Sequence, residues 1–137
     1  MHKVKVATVL ALFTALNGCG DISRPVAIGK GKDMVASLLK DPGSVSFENV
    51  VYIEEELVGE TYYGRLCGLV NAKNSFGGFT GMQRFSADMH YSLGGSFNVS
   101  DLQIEEGLLG KTNNEDITYF EANYWKGRCE PKQPYKQ

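Results

Sequence analysis

The feature that most limits what this chain can fold into is the apolar run near its start. Val6 to Leu16 form eleven residues interrupted only by two threonines, and Lys3 and Lys5 precede them without any acidic residue. This run is too short for a helix that crosses a bilayer, which needs about 20 residues, but it is typical of an export signal. The pattern predicts that residues 1–18 are removed, which leaves 119 of the 137 residues to form one domain.

The four residues Leu16-Asn17-Gly18-Cys19 come directly after this run. They resemble the lipobox of bacterial lipoproteins, in which an aliphatic and a small residue precede an obligatory cysteine. The resemblance implies that Cys19 is lipidated and becomes the first residue of the mature protein, held to a membrane by two or three acyl chains. Gly20 stands where an aspartate would favour the inner membrane, so we expect the periplasmic face of the outer membrane. The alternative is an ordinary secretory signal that ends near a cysteine.

The charge of the mature chain excludes one class of partner. Without the signal, the chain has 12 basic and 16 acidic residues, which gives a net charge of −4. Because nucleic acid requires a basic surface, we expect no nucleic-acid partner, and attachment to the membrane is expected to come from the lipid alone. A chain of this size buries roughly 65% of its unfolded surface, so a fold without a cofactor or metal is feasible and none is expected.

Two cysteines, Cys67 and Cys129, remain once Cys19 is lipidated. They have a single intramolecular pairing, in a compartment that permits disulfides. We therefore predict a Cys67–Cys129 disulfide. The alternative is a pair of free thiols of which one is catalytic, although no helper residue stands near either in sequence.

The predicted organisation is a lipidated tether over residues 19–32, a globular domain over 33–130 and a polar tail over 131–137. Glycines and Pro25 favour the tether, although Val26-Ala27-Ile28 could instead pack on the domain as a strand or helical turn. A short helix is predicted from Asp33 to Lys40, where four apolar residues form one stripe, and Pro42 and Gly43 end it.

Alternation of apolar and polar residues predicts several strands. Glu54-Glu55-Glu56 and Gly59 are interpreted as a hairpin connection. Tyr62 to Ala72 is apolar on both faces and is therefore expected at the centre of the sheet. The other predicted strands are Ser44 to Val50, Gln83 to Met89 with Phe85, Ala87 and Met89 on one face, and two weaker ones, Ser96 to Val99 and Asp101 to Glu105.

A second helix is predicted near the C-terminus. Thr112 and Glu115 have the spacing of a capping box, and Gly127 is a natural terminator. The expected apolar face of this helix consists of Ile117, Phe120, Tyr124 and Trp125. Together these elements predict an α+β fold, with an antiparallel sheet of about four to five strands bracketed by a short N-terminal helix and a C-terminal helix.

Few residues of the mature chain are suited to catalysis. His90 is its single histidine, and a dyad with Asp88 would place both on one strand face, but a histidine without a catalytic role is the simpler interpretation. The adjacent glutamates at 54–56 and 105–106 lack calcium-binding or zinc-binding spacing and are interpreted as solvated charge. The expectation is a protein that is not an enzyme.

The most unusual segment is residues 71–84, which combines glycines, two phenylalanines, amides and two cations. Such a loop can present backbone N–H groups and exposed rings to a partner. The predicted binding residues are Lys73, Asn74, Phe76, Phe79 and Arg84. The alternative is a structural loop whose rings pack into the domain.

Two runs of this chain are similar to segments of small exported proteins of unknown function from Gram-negative bacteria and their phages. One is Leu39-Lys40-Asp41-Pro42-Gly43-Ser44-Val45-Ser46-Phe47; the other is Cys67-Gly68-Leu69-Val70-Asn71-Ala72-Lys73-Asn74-Ser75-Phe76-Gly77-Gly78-Phe79-Thr80-Gly81-Met82-Gln83-Arg84-Phe85. The resemblance implies a compact exported domain and transfers no catalytic residue. The expected function is a non-catalytic binding or inhibitor module with an envelope protein as partner; the alternatives are a structural envelope component and a small enzyme.

Overall fold

A computed structural model describes residues 22–105 and 118–130 of the chain. One helix packs against an antiparallel sheet whose four strands lie side by side in chain order, so the predicted α+β architecture with an antiparallel sheet of about four to five strands is confirmed. The elements are α1 Arg24–Ser37, β1 Ser46–Val58, β2 Thr61–Asn71, β3 Gln83–Ser92 and β4 Phe97–Ile104, with a 3-10 turn at Pro42–Ser44 and a π-helical turn at Glu121–Trp125.

Helix α1 begins at Arg24, so the tether predicted over residues 19–32 is wrong from Arg24 onward. Pro25 occupies the first turn, where its missing N–H has no cost, and Ala27, Gly31 and Val35 form a buried stripe at intervals of four residues. A Cβ at Gly31 would come within 2.8 Å of the sulfur of Met89. The glycines that suggested a tether instead permit close packing of helix on sheet.

The face of the sheet beneath α1 carries the main core. Phe85, Ala87 and Met89 are all buried there, as the alternation in β3 predicted, and Leu66 and Val70 of β2 lie beside them. β2 pairs with both β1 and β3, which confirms its central position. This core excludes water from the side chains of Leu66, Val70, Phe85, Ala87 and Met89.

The first hairpin turns later than the sequence suggested. Glu54-Glu55-Glu56 lie within β1, and the connection is the two-residue turn Gly59-Glu60, between Val58 and its partner Thr61. β1 is an edge strand whose last five residues are exposed, so consecutive charged side chains remain in water without breaking the pairing. The register shift between Glu54 and Glu56 is a local irregularity of this charged edge.

The two weak strands predicted at the C-terminal side of the sheet form one strand, β4. The break expected near residue 100 is an irregularity instead, because Asp101 has a positive φ of 47° and the β3–β4 register shifts between Ser86 and Asp88. A strand can absorb such a bulge without ending.

The second face of the sheet is partly covered by residues 118–130. Phe120, Trp125 and Cys129 pack there on Ile53 and Cys67, and the predicted Cys67–Cys129 disulfide is present with an S–S distance of 2.01 Å. Only the end of the predicted C-terminal helix is described; Thr112, Glu115 and Ile117 lie outside the described residues. Gly127 follows the π-helical turn with a φ of +77°, as expected of a terminator.

Within the described ranges, no helix has the length and apolar character needed to cross a membrane.

Candidate functional site

The 71–84 loop extends the β2–β3 hairpin beyond the strand ends of the regular sheet. The side-chain oxygen of Asn71 accepts a hydrogen bond from the N–H of Gly81 at 3.1 Å, and the N–H of Thr80 donates to the carbonyl of Ala72 at 3.0 Å. Lys73 and Phe79 pair as an isolated antiparallel bridge. The two arms of the loop are therefore joined to each other by hydrogen bonds of the main chain and of the Asn71 side chain.

Asn74 shapes the tip of the loop. Its side-chain oxygen accepts hydrogen bonds from the N–H groups of Phe76 at 2.9 Å and Gly78 at 3.1 Å, and its own N–H donates to the carbonyl of Gly78 at 2.8 Å. Gly77, with a φ of +83°, supplies the left-handed backbone that this turn requires. The predicted binding residue Asn74 thus acts inside the loop and holds Phe76 at its apex.

The apolar side chains of the loop face water. Phe76 is 98% exposed and Phe79 is 57% exposed, and Met82 is exposed beside them. These exposures disagree with the alternative in which both rings pack into the domain. A fully exposed phenylalanine on an internally bonded loop is the most unusual surface feature of the described residues.

Lys73 and Lys40 fasten the loop to the segment that follows α1. The ammonium of Lys73 lies 2.6 Å from the carboxylate of Asp41, and this hydrogen bond lowers the pKa of Asp41 below its usual range. Lys40 donates to the carbonyl of Ser75 at 2.8 Å. Lys73 also lies 5.7 Å from the ring centre of Phe79, so the cation supports that ring from within the chain.

Arg84 clamps the C-terminal segment to the sheet. It donates two hydrogen bonds to the carboxylate of Glu105, at 2.6 and 2.9 Å, and forms an ion pair with Glu121. Its guanidinium also lies 5.0 Å from the ring centre of Trp125. The sequence placed Arg84 in the binding surface because it ends the loop, and it contained no signal for these distant partners.

His90 and Asp88 lie on the second face of the sheet, as their spacing on one strand suggests, and the ring of His90 lies against that of Tyr63. Asp88 is paired with Arg65, a buried cation that sequence reasoning missed. Among the described residues, no group of three histidine, cysteine or acidic side chains is arranged to hold a metal ion.

Comparison with protein families, with characterised proteins and with solved structures finds no match to this chain. A proposal about its function therefore depends on the geometry of its own residues.

Proposed function

We propose that this protein is a lipid-anchored, non-catalytic binding module of the bacterial envelope, and that the 71–84 loop is its contact surface. The observation that supports the proposal is the 98% exposure of Phe76 at the apex of an internally bonded loop. Aromatic side chains are enriched at the centres of protein interfaces, where burial of the ring provides much of the binding free energy. Exposed in this way, Phe76 is available to enter an apolar pocket on a partner protein.

The loop is organised before it meets a partner. The hydrogen bonds made by Asn71, Asn74 and Thr80 already fix the backbone on which Phe76 and Phe79 stand. A preorganised loop loses little conformational entropy on binding, so more of the free energy from burying the two rings appears as affinity. Under this proposal Lys73, Asn74 and Arg84 support the loop and its base, and the two rings make the contact.

The loop lies at the opposite end of the sheet from the start of α1. The start of α1 lies beside the Gly59-Glu60 end, where Arg24 pairs with Glu54 at 3.1 Å and Ile22 lies near Tyr62. The loop follows the far end of β2, about 33 Å away at roughly 3.3 Å per residue. The five residue-to-residue steps from Cys19 to Arg24 span at most about 18 Å. An upright domain therefore presents Phe76 away from its own membrane, towards a partner in the periplasm.

Attachment to a surface favours such a contact. Confinement of the domain near one membrane raises its effective concentration towards any partner held in the same envelope layer, so a contact of modest affinity suffices. We place the protein on the periplasmic face of the outer membrane, with an envelope protein as partner.

The loop contact is tested by photocrosslinking in living cells. A photoreactive phenylalanine analogue at position 76 of the full-length protein is expected to capture one discrete envelope protein, because the ring at this position enters the partner. The same analogue at position 57, where Leu57 is also exposed but lies on β1, is the matched control and is expected to capture none.

The Phe76→Ala variant completes the test. Because the ring is in water, its removal is expected to change the free energy of unfolding by no more than about 0.5 kcal/mol, while recovery of the partner identified by crosslinking falls at least tenfold. Equal capture from positions 76 and 57, or unchanged recovery with Phe76→Ala, would contradict the loop as the interface.

The anchor is tested at Cys19. Palmitate supplied to growing cells is expected to label the wild-type protein and to leave the Cys19→Ser variant unlabelled, since the serine hydroxyl does not replace the thiolate as acceptor. The labelled protein should sediment with outer-membrane vesicles. Label retained by Cys19→Ser would refute lipidation at this residue. The photocrosslinking test of the loop does not depend on this result.

A further inference from the structure

A polar groove opens on the second face of the sheet, where residues 118–130 leave part of it uncovered. It has a volume of about 310 Å³ and is lined chiefly by Glu55, Tyr63, Arg65, Asp88, His90 and Ser100. The groove lies near the Gly59-Glu60 end of the sheet and is separate from the 71–84 loop. Its volume is at the lower end of the range for small-ligand sites, about 300–1,000 Å³.

Arg65 forms the floor of the groove and is only 5% exposed. Its terminal nitrogens donate to the hydroxyl of Ser86 at 2.9 Å and pair with the carboxylate of Asp88 at 2.6 Å. Its Nε is buried without a hydrogen-bond partner among the described residues, and a carboxylate oxygen of Glu55 is 3.9 Å away. A buried cation with an unsatisfied donor is costly, and an apolar side chain would stabilise the sheet at least as well.

Arg65 holds the carboxylate of Asp88 at the mouth of the groove, and that of Glu55 lies 3.9 Å from its Nε. The side chains of Asp88 and Glu55 are 46% and 49% exposed, so each carboxylate is held near the guanidinium and still reaches solvent. A carboxylate has about four acceptor positions, of which the contact with Arg65 uses only part. The remaining positions can accept hydrogen bonds from a ligand rich in O–H groups.

Two rings form one wall of the groove. Those of Tyr63 and His90 lie with their centres 5.3 Å apart and tilted by 35°, and Tyr63 is 42% exposed. The face of an aromatic ring carries a partial negative charge and attracts weakly positive C–H groups. A flat ligand with C–H groups on its face and hydroxyls around its edge would satisfy both the wall and the carboxylates.

We propose that this groove is a saccharide-binding site of the size of one or two sugar rings. Charge distinguishes a sugar from the other candidates. Asp88 and Glu55 would repel an anion, while Arg65, in contact with Asp88 and close to Glu55, offsets much of the field that would attract a cation. A neutral sugar is not repelled by the carboxylates and does not depend on a net negative field. It donates hydrogen bonds from its hydroxyls to the carboxylates and stacks on Tyr63. The site goes beyond the proposed loop contact and does not depend on it.

The test is a ligand titration followed by amide NMR on the full-length protein, in a detergent that has neither a sugar nor an ammonium headgroup. Glucose, galactose and N-acetylglucosamine are the neutral probes; lysine, tetramethylammonium and acetate are the charged ones. At least one sugar is expected to shift the amide signals of Tyr63, Asp88 and His90 in a saturable manner and to leave that of Phe76 unchanged. Binding of a charged probe without a sugar, or no saturable shift with any sugar, would overturn the proposal.

Variants assign the binding to the groove. Tyr63→Ala is expected to weaken the sugar affinity about tenfold, since it removes the partly exposed ring on which the sugar stacks. Asp88→Asn should weaken it by at least as much, but it also changes the partner of buried Arg65, so its fold is checked by the amide spectrum. Glu56→Gln, next to Glu55 but outside the groove, is the matched control and should bind as the wild type does. Equal affinity in Tyr63→Ala and the wild type would refute the site.

Discussion

Replacing both disulfide cysteines, as Cys67→Ala with Cys129→Ala, is expected to lower the free energy of unfolding by about 4 kcal/mol. The bond joins positions 62 residues apart, and in the chain-entropy model a closed loop of this length restricts the unfolded chain by about that amount. Urea unfolding followed by the fluorescence of Trp125 measures the loss. With a urea slope of about 2 kcal/mol per molar, the midpoint should fall by about 2 M.

Reduction of the wild-type protein provides the control. A reducing agent should lower the midpoint of the wild type towards that of the double variant and leave the double variant unchanged. Because both sulfurs are buried beside Phe120 and Trp125, the substitution also removes some packing, and the reduced wild type separates that contribution from the covalent one. A wild-type midpoint that is insensitive to reduction would show that the bond does not stabilise the fold.

The sequence was most informative where one face of a strand is buried. Alternation placed Phe85, Ala87 and Met89 on the same buried face of β3, and the apolar content of β2 placed that strand at the centre of the sheet. Both predictions depend only on the two-residue period of a strand and on the exclusion of apolar side chains from water. The disulfide was predictable because two cysteines have only one pairing.

Prediction failed where a tertiary contact reverses a local preference. Glycines disfavour helices, so residues 24–32 suggested a tether, but Gly31 allows α1 to approach Met89 closely, and that packing outweighs the intrinsic preference. Consecutive glutamates at 54–56 suggested a turn, because nothing in a local pattern shows that β1 is an edge strand with its end in water.

The sequence predicted which segment forms the candidate site, but it did not predict the contacts that the side chains make. Composition identified residues 71–84 as unusual, and the exposure of Phe76 agrees with the kind of surface that was expected there. The hydrogen-bonded partners of Arg84 and Arg65 were missed because they lie 21 or more positions away, where no sequence spacing connects them. Contacts of this kind are set by strand register, which becomes known only with the fold.

The clamp made by Arg84 is expected to have the second-largest effect on stability. Arg84→Met keeps much of the side-chain volume but leaves the carboxylates of Glu105 and Glu121 partly buried without their cation, which should cost about 2 kcal/mol. Lys73→Met is the matched control: its partner Asp41 is more exposed, so we expect a smaller loss than for Arg84→Met. Urea unfolding with Trp125 fluorescence measures both variants.

The pH dependence of this loss distinguishes the clamp from simple packing. The hydrogen bonds from Arg84 hold the pKa of Glu105 below its ordinary value of 4.5. A lowered pKa stabilises the folded state fully above the ordinary value, and that contribution disappears as the pH falls through the lower folded value. The difference in unfolding free energy between the wild type and Arg84→Met should therefore be constant near neutral pH and shrink below pH 4.5. A difference that stays constant down to acid unfolding would mean that Arg84 stabilises the protein by packing on Trp125 and not by its ion pairs.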